Sequence, residues 1–365
     1  MLLENLPFDL PVQSVHVIFG LVLGLVFGVA AQISKFCLRR AVAGDTGADA
    51  SAGAVWIMAL AAAIGGFAVT QSLGWVALED HRLLSSSAPV LAIIVGGVAF
   101  GAGMVLTRGC MSRLTVLSAS GNLRAFTVIL VFAIVAHATL KGVFAPMRVA
   151  LGAVQQDFGI ASLAQIPGFA PVVAVLLAVG AIVLGRRSGT SARVLGLGAV
   201  IGGVAVAGWA GTSVWLLDDF DPLPVQSAAF TLPWADTLFW TIASSAIPAG
   251  FGTGLIAGVS LGSFASAVLR SEFALESFEA PAQTLRYGAG GALMGVGGVL
   301  AGGCTIGAGL SGSATLSVAA LLALGAIITG AIVTQSLLQA RGAAVLSLVP
   351  VTPENQVFAH QSLRE

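Results

Sequence analysis

Gly302-Gly303-Cys304-Thr305-Ile306-Gly307-Ala308-Gly309-Leu310-Ser311-Gly312 is the stretch on which the fold turns. It lies between an apolar run beginning near Ala292 and another beginning near Leu316, so a thiol-bearing, glycine-loaded break separates two hydrophobic segments. Inside a bilayer, backbone that leaves the helix is stable only where protein buries it or a polar cavity receives it, because lipid offers its amides no hydrogen-bond partner. A break of this composition marks a permeation or binding site, with Cys304 in it.

The surrounding composition supports a membrane reading. Of the 365 residues 57% are hydrophobic, 9% are charged and 47 are glycine. A soluble domain carries roughly 25% charged residues, so this chain cannot cover a water-facing surface. Its glycines suit close helix approach in lipid. The formal net charge is zero, which excludes nucleic-acid binding by bulk electrostatics. Met1 to Pro11 holds Glu4 and Asp9 but no basic residue, unlike a cleaved signal peptide.

Apolar runs long enough to span fall near 15–37, 53–78, 89–107, 124–145, 170–185, 194–217, 238–264, 285–303 and 316–338. The expectation is an all-α polytopic integral membrane protein of about nine transmembrane helices, with short re-entrant or half helices, forming one membrane domain over 1–365. The runs from 89 and 285 are short enough to be half-helices. With the N-terminus outside and the C-terminus cytoplasmic, the inner loops and helix ends hold Lys35, Arg39, Arg40, Arg108, Arg113, Arg124, Arg186, Arg187, Arg193, Arg270, Arg286, Arg341 and Arg364. Only Arg82, Lys141 and Arg148 remain outside, a clear positive-inside bias. Asp218, Asp219 and Asp221 then fall in a solvated outer loop with Pro222 and Pro224.

Internal repetition sharpens the picture. Gly97, Gly101, Gly103, Leu106, Gly109 and Cys110 coincide with Gly291, Gly295, Gly297, Leu300, Gly303 and Cys304 at a constant offset of 194. Gly24 and Gly28 similarly match Gly254 and Gly258 at an offset of 230, with Cys37 opposite Ala267. Two pseudo-repeat halves, about 15–145 and 238–338, are expected, linked by apolar segments within 170–217. Nine spans make the two Gly-Cys helices run in opposite directions and the two glycine helices in the same one. A strict inverted repeat flips both, so either one run is re-entrant or the first units share only glycine packing.

The three cysteines are too far apart for a disulfide framework or a C-x-x-C site. Each Gly-Cys break precedes a segment able to begin a helix, Ser112 to Ser118 and Gly312 to Leu316. Helix starts aim free amides and a positive dipole end at the break, which attracts anions. Glycines beside the cysteine let a small ligand reach both the amides and the thiol. Lys35, Arg39 and Arg40 surround Cys37; basic neighbours suit a reactive thiol and equally anchor a helix at the inner surface. Sulfur is large, polarisable and a weak hydrogen-bond partner, so thiols favour an anion with one soft end. Thiosulfate fits. A soft metal cation is the physical rival, but no methionine or histidine pair lies near the cysteines, and no metal or cofactor is expected.

Three motifs resemble the YeeE/YedE sulfur-transport membrane proteins: Gly28-x-x-x-Gln32-x-x-x-Phe36-Cys37-x-x-Arg40; Gly101-Ala102-Gly103-Met104 leading to Gly109-Cys110-x-Ser112 and Gly121-Asn122; and the opening stretch. The resemblance implies an inner-membrane protein in which loops from both faces pinch toward the centre, thiosulfate uptake, and an ion handed between Cys37, Cys110 and Cys304 by weak S–H to sulfur hydrogen bonds. It also implies a small sulfur-carrier partner of the TusA type, and in some relatives a selenium-containing anion as substrate. The chain departs from the family at Ala308, where many relatives have glutamine, and at Arg108, where glycine is common. Gly109, Gly303, Thr305 and Ser112 complete the expected binding set, with Arg113 and Ser311 as supplementary donors. No enzymatic activity is expected; a membrane sulfurtransferase using a persulfide and an assembly subunit are the alternatives. His137 and Lys141, one turn apart, are read as snorkelling to the outer surface, and His16, His81 and His360 as ordinary polar residues.

Overall fold

The computed structural model of the chain describes residues 11–45, 47–76, 78, 84–217, 223–278 and 280–348, with 282 and 341–348 described by backbone alone. Asp218, Asp219, Asp221, Pro222, His81, Arg82, His360, Arg364, Glu4 and Asp9 lie outside the described residues. Thirteen α-helices follow one another among the described residues: α1 (Val12–Ser34), α2 (Leu38–Ala43), α3 (Ala50–Ser72), α4 (Val90–Leu106), α5 (Met111–Ala119), α6 (Leu123–Lys141), α7 (Ala145–Gly152), α8 (Phe169–Arg187), α9 (Ala192–Ala210), α10 (Thr231–Ile242), α11 (Phe251–Leu269), α12 (Pro281–Leu300) and α13 (Val318–Leu348). The sheet among them is one antiparallel pair of two-residue strands, Ser87–Ala88 with Gln156–Asp157.

Local chemistry sets several helix starts. Asp49 accepts from the Ser51 and Ala52 amides ahead of α3, Asn122 from Ala125 ahead of α6, and Ser191 from Val194 ahead of α9. Each satisfies amides that a first turn leaves free. Pro281 occupies the first turn of α12, where its missing N–H costs nothing.

Eight segments of the described residues are long and apolar enough to cross a membrane: Val12–Ala43, Ala50–Ser72, Val90–Ala119, Leu123–Lys141, Phe169–Arg187, Ala192–Trp215, Phe251–Leu269 and Val318–Ala340. The outward face of α8 shows why: Val172, Val175, Leu176, Val179 and Val183 are all exposed, a surface for lipid rather than water. The run expected at 285–303 is the 20-residue α12, which Gln283, Thr284, Arg286 and its glycines make less apolar than the other eight. The run expected at 238–264 is corrected. It is two helices, α10 and α11, parted at 243–250 where Pro248 and Gly250 interrupt the apolar pattern. The helix expected at Gly312 to Leu316 is also moved: a π-helical turn, Gly307–Gly312, starts inside the break itself.

Glycines fix the central crossings. A side chain on Gly24 would strike Val259 N at 2.8 Å and Gly258 Cα at 2.9 Å, and one on Gly258 would strike Leu25 N at 2.8 Å and Gly24 Cα at 2.9 Å. Gly28 meets Val259 and Ser263, and Gly254 meets Val17 and Leu21. Contacts that advance together along both chains make α1 and α11 parallel, backbone against backbone. The second pair runs the other way: Gly96 lies against Ala301 and Gly297, while Gly103 lies against Gly290 and Met294. Thus α4 and α12 are antiparallel. Both directions are those that nine spans imply. Phe27, Phe100 and Phe132, each fully buried, fill the space around these crossings.

Candidate functional site

Three helices end in the same local device. Lys35 (φ 51°), Arg108 (φ 56°) and Gly302 (φ 77°) adopt the left-handed conformation, each two residues before a cysteine. The chain then turns sharply, and Cys37, Cys110 and Cys304 come to stand just ahead of α2, α5 and the Gly307–Gly312 turn. Left-handed φ is free for glycine and costs an ordinary residue roughly 1–2 kcal/mol, a cost that Lys35 and Arg108 carry and Gly302 does not. A fourth helix, α11, ends likewise at Ser271 (φ 55°) but carries no cysteine.

Two of the thiols meet. Cys110 Sγ lies 3.8 Å from Cys37 Sγ and 3.3 Å from Ser112 Oγ. The backbone amides of Cys110 and Arg40 lie beside Cys37 Sγ, and that of Arg113 beside Cys110 Sγ. Arg113 Nη1 is buried with no hydrogen-bond partner among the described residues. The site is thus lined with donors on one side and sulfur on the other. Gly109 contributes its carbonyl, which accepts from Thr107 Oγ1 at 3.0 Å. Gln32, one of the motif residues, ties three elements together here: it donates to Glu272 Oε2 at 3.0 Å and accepts from Ser120 Oγ at 3.4 Å. Glu272 is held in turn by Arg270 at 3.0 Å, and the Arg270 hydrogen bond keeps its carboxyl below the usual range. The linkers on this side also clip together, Asn122 and Arg124 both binding Glu276.

Cys304 stands apart from that pair. Thr107 packs beside Gly290, and Ala301 beside Gly96, so the two Gly-Cys breaks sit at opposite ends of the α4–α12 pair. Eleven residues of α4 separate those levels, on the order of 16 Å at 1.5 Å per residue. The Gly307 amide donates to Cys304 Sγ at 3.4 Å. Thr305 is wholly buried and its hydroxyl has no partner among the described residues. Gly303 is required by space, since a Cβ there would stand 2.6 Å from Ala308 N. Two cavities border the break. One, of about 390 Å³, is walled by Gly302, Gly303, Gly307, Ser311 and Trp209; the other, of about 530 Å³, by Gly302, Ala308, Ser85, Gln155 and Arg148. A smaller cavity of about 150 Å³ beside His16 and Asp236 touches none of the cysteines.

One wall of the first cavity is non-helical backbone, residues 224–229, and sequence reasoning missed it. Ser227 donates to the Ala205 carbonyl, Thr212 to the Gln226 carbonyl, and Ser311 to the Ala228 carbonyl, each at 2.6 Å. Trp209 Nε1 donates to the Ser311 carbonyl at 2.9 Å. These bonds supply what lipid withholds from irregular backbone; Ser311, expected as a ligand donor, is spent on one of them. His16 is buried and bonded to the Leu216 carbonyl at 3.1 Å. His137 stacks on Phe239, with ring centroids 3.5 Å apart.

Residues 34–333 match the family described as Sulphur transport, a span that takes in all three thiol-bearing breaks. The chain belongs to this family. Among its relatives, the "Thiosulfate transporter TsuA" of Spirochaeta thermophila is 26% identical over 317 residues, covering 83% of this chain and 93% of the relative. The protein of the same name from Escherichia coli K12 is 26% identical over 317 residues, covering 80% and 86%. Both alignments cover at least four fifths of this sulphur-transport chain and of each relative, rather than one shared segment.

Proposed function

We propose that the chain takes up thiosulfate, or a closely similar small sulfur anion, across the bacterial inner membrane. The carrying observation is the repeated device: three buried thiols, each placed by a left-handed turn at the start of a helical segment, two in contact and the third beside two cavities. Amides and Arg113 suit the oxyanion oxygens, and thiols suit the terminal sulfur. In this reading the ion enters on the Cys304 side, which the positive-inside bias puts outside, and passes to Cys37 and Cys110 at the cytoplasmic side, where Lys35 and Arg113 draw it on, Arg39 and Arg40 being paired with Asp45 and Asp49. Weak S–H to sulfur hydrogen bonds release the ion easily, so it is handed along without covalent change, and the protein is a transporter, not an enzyme. The N-terminus is outside, the C-terminus cytoplasmic. The halves 15–145 and 238–338 supply one Gly-Cys break each to the path, and a TusA-type sulfur-carrier protein works beside it on the inner side.

Uptake of labelled thiosulfate by cells expressing the chain tests this. Cys110→Ala and Cys304→Ala are each expected to abolish uptake while the protein remains in the membrane; wild-type uptake in both sinks the proposal. A persulfide trapped on one cysteine during turnover would instead favour a sulfurtransferase, and preferential uptake of a selenium-containing anion would shift the substrate.

A further inference from the structure

The indole N–H groups of Trp209, Trp234 and Trp56 are disposed in two ways. Trp209 donates to the Ser311 carbonyl and Trp234 to Thr115 Oγ1, at 2.9 and 2.8 Å. Trp56, in α3, is only 5% exposed, and its Nε1 has no hydrogen-bond partner among the described residues. Buried indole N–H groups normally find a partner, because leaving one unmade is costly.

Its surroundings say what that donor serves. The ring stacks on Phe36, centroids 6.3 Å apart and planes 9° from parallel. Phe36 immediately precedes Cys37, whose thiol touches Cys110. The ring's Cζ2 and Cη2 atoms face the turn after Cys304, since a methyl group on Gly309 would stand 3.7–3.8 Å from them. One ring carbon separates Cζ2 from Nε1, so the N–H lies at the border of that turn. Thr305, next to Cys304, carries another buried donor, a hydroxyl, without a partner among the described residues. Trp56 therefore stands between the residue before Cys37 and the turn after Cys304, and Thr305 adjoins the cysteine at that turn.

We infer that Trp56 Nε1–H, with Thr305 Oγ1–H, holds the oxygens of the sulfur oxyanion between Cys304 and the Cys37–Cys110 pair. Thiols are weak donors, and the hard oxygens need N–H or O–H groups while the terminal sulfur moves from one thiol site to the other. The inference rests on the thiosulfate reading and adds to it the residues that handle the oxygens.

Purified wild type, Trp56→Phe and Thr305→Val, reconstituted in vesicles, test it through the KM for thiosulfate and the thiosulfate-induced rise in melting temperature. Loss of one hydrogen bond to a charged ligand predicts a KM raised about tenfold or more in Trp56→Phe, with a smaller thiosulfate-induced rise, while phenylalanine keeps a ring on Phe36. Thr305→Val, nearly isosteric, is expected to act in the same direction and carries the test should Trp56→Phe not insert. Wild-type KM and an undiminished thiosulfate-induced rise in the variants overturn the inference and leave the uptake reading standing. So does a lower melting temperature without thiosulfate at unchanged KM, which is the mark of a purely structural tryptophan. Wild-type vesicles that take up no thiosulfate overturn both.

Discussion

Adding one methyl group to Gly24 sets the α1–α11 crossing against helix propensity. The new Cβ would lie 2.8 Å from Val259 N and 2.9 Å from Gly258 Cα, with the Leu255 carbonyl nearer still. Ordinary contact begins at 3.4 Å, so the two helices must part by at least roughly 0.6 Å, the shortfall at Val259 N under the cost of overpacking. The struck atoms are backbone and cannot rotate away, which puts the cost near the upper end for overpacking, about 3 kcal/mol. Alanine returns about 1 kcal/mol of helix propensity, leaving a net loss of about 2 kcal/mol. Gly180, on the lipid-facing side of α8, has nothing within 4 Å of its Cβ position; there the same substitution gains up to about 1 kcal/mol. Melting of the two variants in detergent, beside wild type, is therefore expected to give opposite shifts. Because α1 delivers Cys37 to Cys110, Gly24→Ala is also expected to lower thiosulfate uptake per inserted protein, and Gly180→Ala to leave it alone. Equal melting temperatures for the two variants would refute the backbone-to-backbone crossing.

Three further outcomes are expected. Lys35→Gly relieves a left-handed φ of 51° and is expected to stabilise the chain by about 1 kcal/mol, seen as a higher melting temperature; a lower one refutes the turn geometry. Arg148→Ala, on the wall of the cavity of about 530 Å³ beside Gly302, is expected to slow uptake at low ionic strength and to weaken its salt dependence, because a charge at a vestibule acts through screened attraction; an unchanged salt profile refutes that role. Glu272, with its carboxyl held low by Arg270, lends stability that is present above the ordinary carboxylate range and fades as pH falls through its lowered folded value. Its Gln32 contact should loosen over that acid window, and Glu272→Gln should flatten the acid dependence of melting; a wild-type slope in that variant refutes the linkage.

Much of this arrangement was legible in the residues. Glycine and cysteine at a constant offset identified Gly109-Cys110 and Gly303-Cys304 as equivalent breaks, because only a repeated backbone device calls for both residue types at the same point. The opposite directions of α4 and α12 and the common direction of α1 and α11 followed from counting spans. The broken run at 238–264 was hidden because hydropathy averages across Pro248 and Gly250, which carry the structural signal. The wall at 224–229 was illegible for a different reason. It is held by bonds with Ser311, Thr212 and Ala205, partners outside the segment, and no local pattern encodes such bonds. Trp56 likewise carries no mark in the sequence; only burial reveals that its N–H is unpaired.

The parallel α1–α11 crossing also bears on biogenesis. Gly24 and Gly258 touch across 234 residues, so once made, α1 waits for α11. At roughly 5–20 residues per second that delay is on the order of ten to fifty seconds. During it, the glycine groove of α1 lies open in the nascent chain to whatever helix reaches it first. Closing that groove must wait for α11, although the thiols that meet, Cys37 and Cys110, both lie in the chain made before it.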